Sequence, residues 1–272
     1  MTNRCKIAIL ALSAAFVFAF LAEICFAAES GSPDVQRLNG LLERTAGQTS
    51  VFLDQFSDVK CTEQVRQEKL GKDNKVELKE ESTYDYLVIL TNAGGELNLS
   101  ESRIPVHEAK KDRKNTSMLL SNGFATLFLV FHPIYADAFK FTLAGQDVVA
   151  GHTLQKITFQ HITGMKSPAA LALRGREYPL ELSGTAWIDP ETGSIAKIEA
   201  GIADTLQDVG LKTLTSEIDF APLNFADTKQ AYWFPIQARV EVETARQHWR
   251  NLHQFTGYKK FSVSTEEKVT QK

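Results

Sequence analysis

Six histidines, His107, His132, His152, His161, His248 and His253, are the residues best suited to acid–base or metal chemistry, and their spacing argues against both. None belongs to a His-Glu-x-x-His motif. His248 and His253 are five apart, on opposite sides of a strand and well separated round a helix, which makes a poor zinc pair. His161 shares its strand phase with Ile157 and Phe159, as a histidine built into a sheet would. No Gly-x-Ser-x-Gly elbow supplies a hydrolase nucleophile, and no glycine-rich phosphate loop ends in Lys-Ser/Thr. Carboxylates such as Glu80, Glu81, Asp147 and Asp204 are scattered without a paired spacing. Asn98-Leu99-Ser100 and Asn115-Thr116-Ser117 match the glycosylation triplet, a pattern frequent by chance. These residue types therefore predict no catalytic group, no metal and no cofactor.

A lone thiol completes the inventory. Cys5 and Cys25 fall in the leader described next, so Cys61 has no intramolecular disulfide partner. It shares its phase with Val59 and Val65, which predicts a buried thiol acting as a small hydrophobe.

The leader opens on Arg4 and Lys6, runs uncharged from Ile7 to Ala22, and ends after Glu23 in Cys25-Phe26-Ala27. A basic head, an apolar middle and a small-residue exit predict a signal peptide over residues 1–27, cleaved near Ala27, and a periplasmic or secreted protein. The uncharged run of 16 residues is shorter than the roughly 20 needed to cross a bilayer. Without Arg4, Lys6 and Glu23 the remaining 245 residues hold 28 basic and 32 acidic side chains, a net charge of −4. So mild an acidic balance gives no electrostatic footprint for nucleic acid.

The elements that would position any site follow. Ser32-Pro33-Asp34 reads as a helix start, with a capping hydroxyl, proline at the first helical position and an early carboxylate. Val35, Leu38, Leu42, Ala46, Phe52 and Phe56 give the helix an apolar stripe. Residues 58–70 and 76–90 flank the polar turn Gly71–Lys75 as a long hairpin, and the loss of alternation over Tyr84–Leu90 predicts burial on both faces. The polar segment 101–116, with basic residues at 110, 111, 113 and 114, reads as a solvated loop. Residues 121–132 place Phe124, Leu127, Phe128 and Phe131 at helical spacing, with Leu129 and Val130 on other sides and Pro133 as the stop. A helix apolar almost all round must be buried. Strands are expected at 139–143, 146–150, 153–162, 182–188, 194–200, 213–220, 236–243 and 258–264. In 236–243, Ile236, Ala238, Val240 and Val242 alternate with polar residues, which marks antiparallel sheet with one wet face. The prediction is a mainly β (α+β) fold over 28–272, one domain in which the N-terminal amphipathic helix packs on an antiparallel sheet.

The stretch Val149-Ala150-Gly151-His152-Thr153-Leu154-Gln155-Lys156-Ile157-Thr158-Phe159, followed by the hairpin Gly184–Glu199 with its Asp189-Pro190-Glu191-Thr192-Gly193 turn, resembles the lipoprotein-sorting superfamily. These are the LolA-like half-barrels, among them periplasmic regulators of envelope-stress signalling. The resemblance implies that the sheet is a curved antiparallel sheet or half-barrel wrapped round one or two helices, with lipid or acyl chains in its concavity. No residue here matches the arginine with which sorting proteins handle lipoprotein, so that activity is not carried over.

The leading expectation is an envelope protein that binds a lipid or an acylated partner without catalysis. Its ligand-lining residues would be Phe124, Leu127, Phe128, Phe131, Tyr84, Tyr86, Val88, Phe159 and Trp187, which would otherwise fill the core. An envelope interaction or stress-sensor protein working through its surface is the alternative, and a secreted hydrolase the third reading.

Overall fold

A computed structural model describes residues 32–93, 96–107, 126–149, 151–173, 176–226 and 231–261. The expected signal peptide, Phe124, the basic residues from 110 to 114 and the triplet at Asn115 lie outside the described residues. The chain begins with α1 (Pro33–Ser57), whose first turn is capped by the Ser32 hydroxyl accepting from the Val35 amide at 3.4 Å. Gly47 does not interrupt it. The buried stripe is Leu41, Thr45, Thr49, Phe52, Leu53 and Phe56, rotated from the expected one, and Val35 is exposed. Thr45 can occupy that stripe because its hydroxyl donates to the Leu41 carbonyl at 2.9 Å.

Twelve strands follow among the described residues. β1 (Val59–Leu70), β2 (Val76–Ala93) and β3 (Glu96–Pro105) form one antiparallel meander. β4 (Phe139–Val149) and β5 (His152–His161) form a hairpin, and β6 (Ala170–Leu173) and β7 (Arg176–Pro179) a small separate one. β8 (Leu182–Ile188), β9 (Ile195–Ile202), β10 (Leu211–Leu223), β11 (Tyr232–Thr244) and β12 (His248–Lys260) complete the chain. Ten of these strands make one antiparallel sheet in the order β3-β2-β1-β12-β11-β10-β9-β8-β5-β4, a curved half-barrel that does not close. Its edges are β3 and β4.

That order explains the apolar segment before Pro133. The chain leaves the sheet at one edge, β3, and re-enters at the other, β4, and the described part of the connection packs against α1. Its described part is a 3-10 helix, Thr126–Phe131, followed by the short α2 (Pro133–Ala136). Leu127, Phe128, Leu129, Val130 and Phe131 are all buried. The expected α-helix over 121–132 is thus a 3-10 turn in its described half, and Pro133 starts a helix rather than stopping one. Phe128 stacks on Phe52 of α1, ring centroids 3.8 Å apart, and meets Phe220 edge-on at 4.7 Å, while Phe131 meets Phe159 edge-on at 5.8 Å. Helix α1 and the 3-10 segment together fill the half-barrel with aromatic side chains.

Several expectations change. Glu96–Pro105 is an edge strand, not part of a solvated loop. Strand β12 begins at His248, ten residues before the expected 258–264. On β2, Tyr86 and Val88 are buried but Ile89 is 45% exposed, so alternation persists and the outward positions simply carry apolar side chains. Ile236 is exposed as well, at a register shift where Phe220 faces Pro235. Proline is tolerated inside a sheet at such a bulge because no ladder hydrogen bond is lost.

Candidate functional site

Most of the expected ligand-lining residues enter one contiguous core. Leu127, Phe128, Phe131, Tyr86, Val88 and Phe159 are buried there, and Tyr84 is half-buried. Trp187 is a correction. It belongs to a separate cluster with Leu154 and Ala196 on the opposite face of the sheet. Its indole N–H donates to Asp147 at 3.2 Å, and Lys156 and Lys197 lie over its ring at 5.5 and 5.2 Å. That bond, then the Val148 amide, holds the Asp147 carboxyl below its ordinary value.

The concave face has a second, ionic region that sequence spacing does not reveal. Glu63 of β1 receives the Arg103 guanidinium as a fork, at 2.5 and 2.8 Å, and the Nδ1–H of His253 at 2.8 Å. The three come from β1, β3 and β12, and their side chains are 0%, 4% and 0% exposed. Arg103 also lies 3.6 Å from Glu101 and 5.0 Å from the centre of the Tyr86 ring. Burial pushes the Glu63 carboxyl up, but hydrogen bonds from His253 and Arg103 outweigh it and hold the group below its ordinary value. Burial pushes the His253 imidazole down against the pull of Glu63, so it is neutral at neutral pH. Burial also pushes the nearby Cys61 thiol up to about 12. A carboxylate fully engaged by a fork and an imidazole is a buried structural pair rather than a poised base.

The space that remains open lies at the other end of the half-barrel, around Trp233 of β11. On the inner side is a cleft of about 200 Å³ between α1, the 3-10 segment and the β8–β9 turn. Phe52, Phe128 and Trp233 form its apolar wall, and Gln48, Thr49 and Gln55 face it from α1. Thr192 and Ser194 face it from the turn. On the far side of Trp233 runs a groove of about 290 Å³ walled mainly by Val149, Leu154, Ala196, Pro222 and Ile236.

The turn is built to hold this end in place. Asp189 accepts from the amides of Glu191 and Thr192 at 2.8 and 2.9 Å, and the Gly193 amide closes back on the Asp189 carbonyl at 2.9 Å. Gly193 has φ +77, and a Cβ there would come within 2.7 Å of the Arg44 backbone, so only glycine lets the turn lie against α1. Arg44 seals the contact by donating to the Pro190 carbonyl at 3.0 Å.

Sequence reading singles out Phe128 at this site but neither Trp233 nor Thr49. The available signal was the aromatic run Tyr232-Trp233-Phe234 beside Pro235. Elsewhere the outer face carries paired charges such as Glu68–Arg250 at 2.6 Å and Lys197–Glu217 at 2.5 Å, with single exposed apolar side chains such as Ile89. It carries an open groove of about 620 Å³ that includes Arg66, Glu81, Asp219 and Arg239.

No family model matches the chain, and no curated protein does. Among solved structures it is similar to a DUF1329 family protein from Desulfovibrio piger, with TM-score 0.42, 11% identity, and 86% of this chain and 99% of that one covered. It is similar also to a putative outer membrane lipoprotein-sorting protein domain from Vibrio parahaemolyticus, with TM-score 0.37, 11% identity, and coverage of 83% and 94%. A third likeness, at TM-score 0.18 and 10% identity, is to MucB in complex with MucA(peri), with coverage of 85% and 100%.

Proposed function

We propose that this chain is an exported envelope protein that binds an apolar ligand, a lipid or the acyl chain of a modified partner, at the Trp233 end of its half-barrel, and that it catalyses no reaction. One observation carries this reading. An apolar groove opens beside Trp233 on a sheet face that also carries paired charges such as Glu68–Arg250 and Lys197–Glu217. A contiguous apolar groove kept in water, as distinct from single exposed apolar side chains such as Ile89, is a usual mark of a binding site. Ile236, 38% exposed, lies in its wall and is apolar surface beyond what the core needs. The resemblance to lipoprotein-sorting half-barrels agrees in kind.

The test is extraction of the purified native protein with organic solvent, followed by mass spectrometry and titration with a fluorescent long-chain acyl probe. Bound lipid and a Trp233→Ala variant that binds the probe roughly tenfold more weakly, about 1.4 kcal/mol, are expected. Trp187→Phe should bind as the wild type does. An extract without lipid, together with no probe binding, would refute the proposal. The surface reading has its own observation in the 620 Å³ outer groove. Arg239→Ala abolishing partner capture while sparing the acyl probe would favour it.

A further inference from the structure

We infer that the 200 Å³ cleft between α1 and the β8–β9 turn is the head-group pocket of this ligand site, and that it takes an uncharged head bearing hydroxyl and ester oxygens, as in an acylglycerol. The inference rests on the acyl-binding reading above and adds to it the chemistry of the ligand's polar end.

The first observation is Thr49. Its side chain faces the cleft, the residue is 0% exposed, and its hydroxyl has no hydrogen-bond partner among the described residues. Thr45, one turn earlier on the same stripe, is equally buried but returns its hydroxyl to the Leu41 carbonyl at 2.9 Å. Thr49 makes no such bond within the helix. A hydroxyl buried without a partner is unfavourable, so a polar atom entering the cleft would be favoured there.

The second observation is what surrounds it. Gln48, Gln55, Thr192 and Ser194 supply further donors and acceptors, and among the described residues no charged side chain lines the cleft. Thr192 donates to the Ser194 hydroxyl at 3.0 Å, and Ser194 can donate in turn to a guest. Arg44, the nearby cation, spends a donor on the Pro190 carbonyl and is not part of the lining. A carboxylate or phosphate would therefore lose water with no opposite charge to receive it, whereas a neutral ester or hydroxyl finds both donors and acceptors. Trp233 lines both the cleft and the apolar groove, so a head in the first stands beside an acyl chain in the second.

The experiment is competition of 1-monooleoylglycerol, oleate and oleoyl lysophosphatidate for the fluorescent acyl probe on the native protein at pH 7.5. Monooleoylglycerol should compete at least roughly tenfold better than the two anions, and Thr49→Val, which keeps the shape and removes the hydroxyl, should cut that preference about fivefold while leaving oleate unchanged. Ser194→Ala, at the turn, should cut it in the same direction and serves if Thr49→Val does not fold. Equal competition by all three in the wild type, or a preference that survives both variants, would overturn the head-group assignment alone. Failure of the acyl probe to bind at all would overturn the acyl site with it.

Discussion

The two ends of the concave face solve burial in opposite ways. At one end β1, β3 and β12 bring Glu63, Arg103 and His253 into direct contact, and the Glu63 carboxylate accepts from both of the others. At the other, Phe52, Phe128, Phe220 and Phe234 meet ring to ring, and the polar groups of α1 look into a cleft. The ionic end is chemically richer, yet its hydrogen bonds are spent internally. The aromatic end is chemically plain, but it keeps space, an unpaired hydroxyl and an apolar exit. Reactive-looking residues are thus a poorer guide to a binding site here than unspent ones.

The largest expected effect breaks the ionic end. Arg103→Met leaves Glu63 and Glu101 buried without their cation, and should cost about 3–5 kcal/mol in urea unfolding, or prevent folding. Acyl-probe binding should survive in whatever folds. A loss below 1 kcal/mol would mean that the cluster is open to water and the two ends are not different in kind.

At the aromatic end, Phe128→Ala removes a ring that is 3% exposed and stacked on Phe52. A cost of about 3–4 kcal/mol is expected, within the range for buried aromatic truncation. The sharper reading is the ligand. The variant widens the cleft, so adding acylglycerol should stabilise it by a different amount from the wild type, whereas Arg103→Met, whose site is intact, should be stabilised by the same amount as the wild type.

These regions also mark how far the sequence was legible. The antiparallel sheet, the capped first helix, the β1–β2 hairpin and the buried segment at 126–131 follow from periodicity and turn chemistry, because one wet face per strand leaves alternation in the residues. The half-barrel curvature follows instead from the family resemblance. Strand β3 was hidden because its inward positions include Glu101 and Arg103, which satisfy themselves across strands rather than through apolarity. Trp187 was misplaced because size suggests burial inward, while two lysines and Asp147 give the ring a home on the outer face. Thr49 and Trp233 were illegible for another reason. Their role depends on a long-range approach of the β8–β9 turn to α1, set by Gly193, which no local pattern encodes.

A pH titration should separate the ends further. The His253 imidazole is held below its ordinary 6.5 in the folded protein, so below that pH the unfolded chain binds the proton that the folded one refuses. Stability is therefore full above about 6.5 and falls as pH drops from there toward the folded value. Glu63, held below its ordinary 4.5, adds a second loss in the same direction at lower pH. The charged groups that act on His253 are Glu63 and Arg103, of which only Glu63 has an ordinary value in the acid range. His253→Gln should flatten the slope between pH 6.5 and 5 in urea midpoints. An unchanged slope would assign the acid sensitivity elsewhere.

The smallest effect is a difference of sign between two threonines on one helix stripe. Thr45 and Thr49 are both 0% exposed, but only the first spends its hydroxyl, on the Leu41 carbonyl. Thr45→Val deletes that bond and should cost about 0.5–1.5 kcal/mol, the net worth of an ordinary hydrogen bond. Thr49→Val replaces an unpartnered buried hydroxyl with a methyl of the same shape, so in lipid-free protein it should be neutral or stabilising by up to about 1 kcal/mol. Both substitutions carry the same small helix-propensity change, which cancels in the comparison. Delipidated samples are needed, because a bound acylglycerol that satisfies Thr49 would turn its substitution into a loss as well. The sign of Thr49→Val should therefore reverse when acylglycerol is added, while that of Thr45→Val stays fixed. If both variants are destabilised equally without lipid and neither responds to it, Thr49 is an ordinary core hydroxyl and the two ends of the half-barrel differ only in composition.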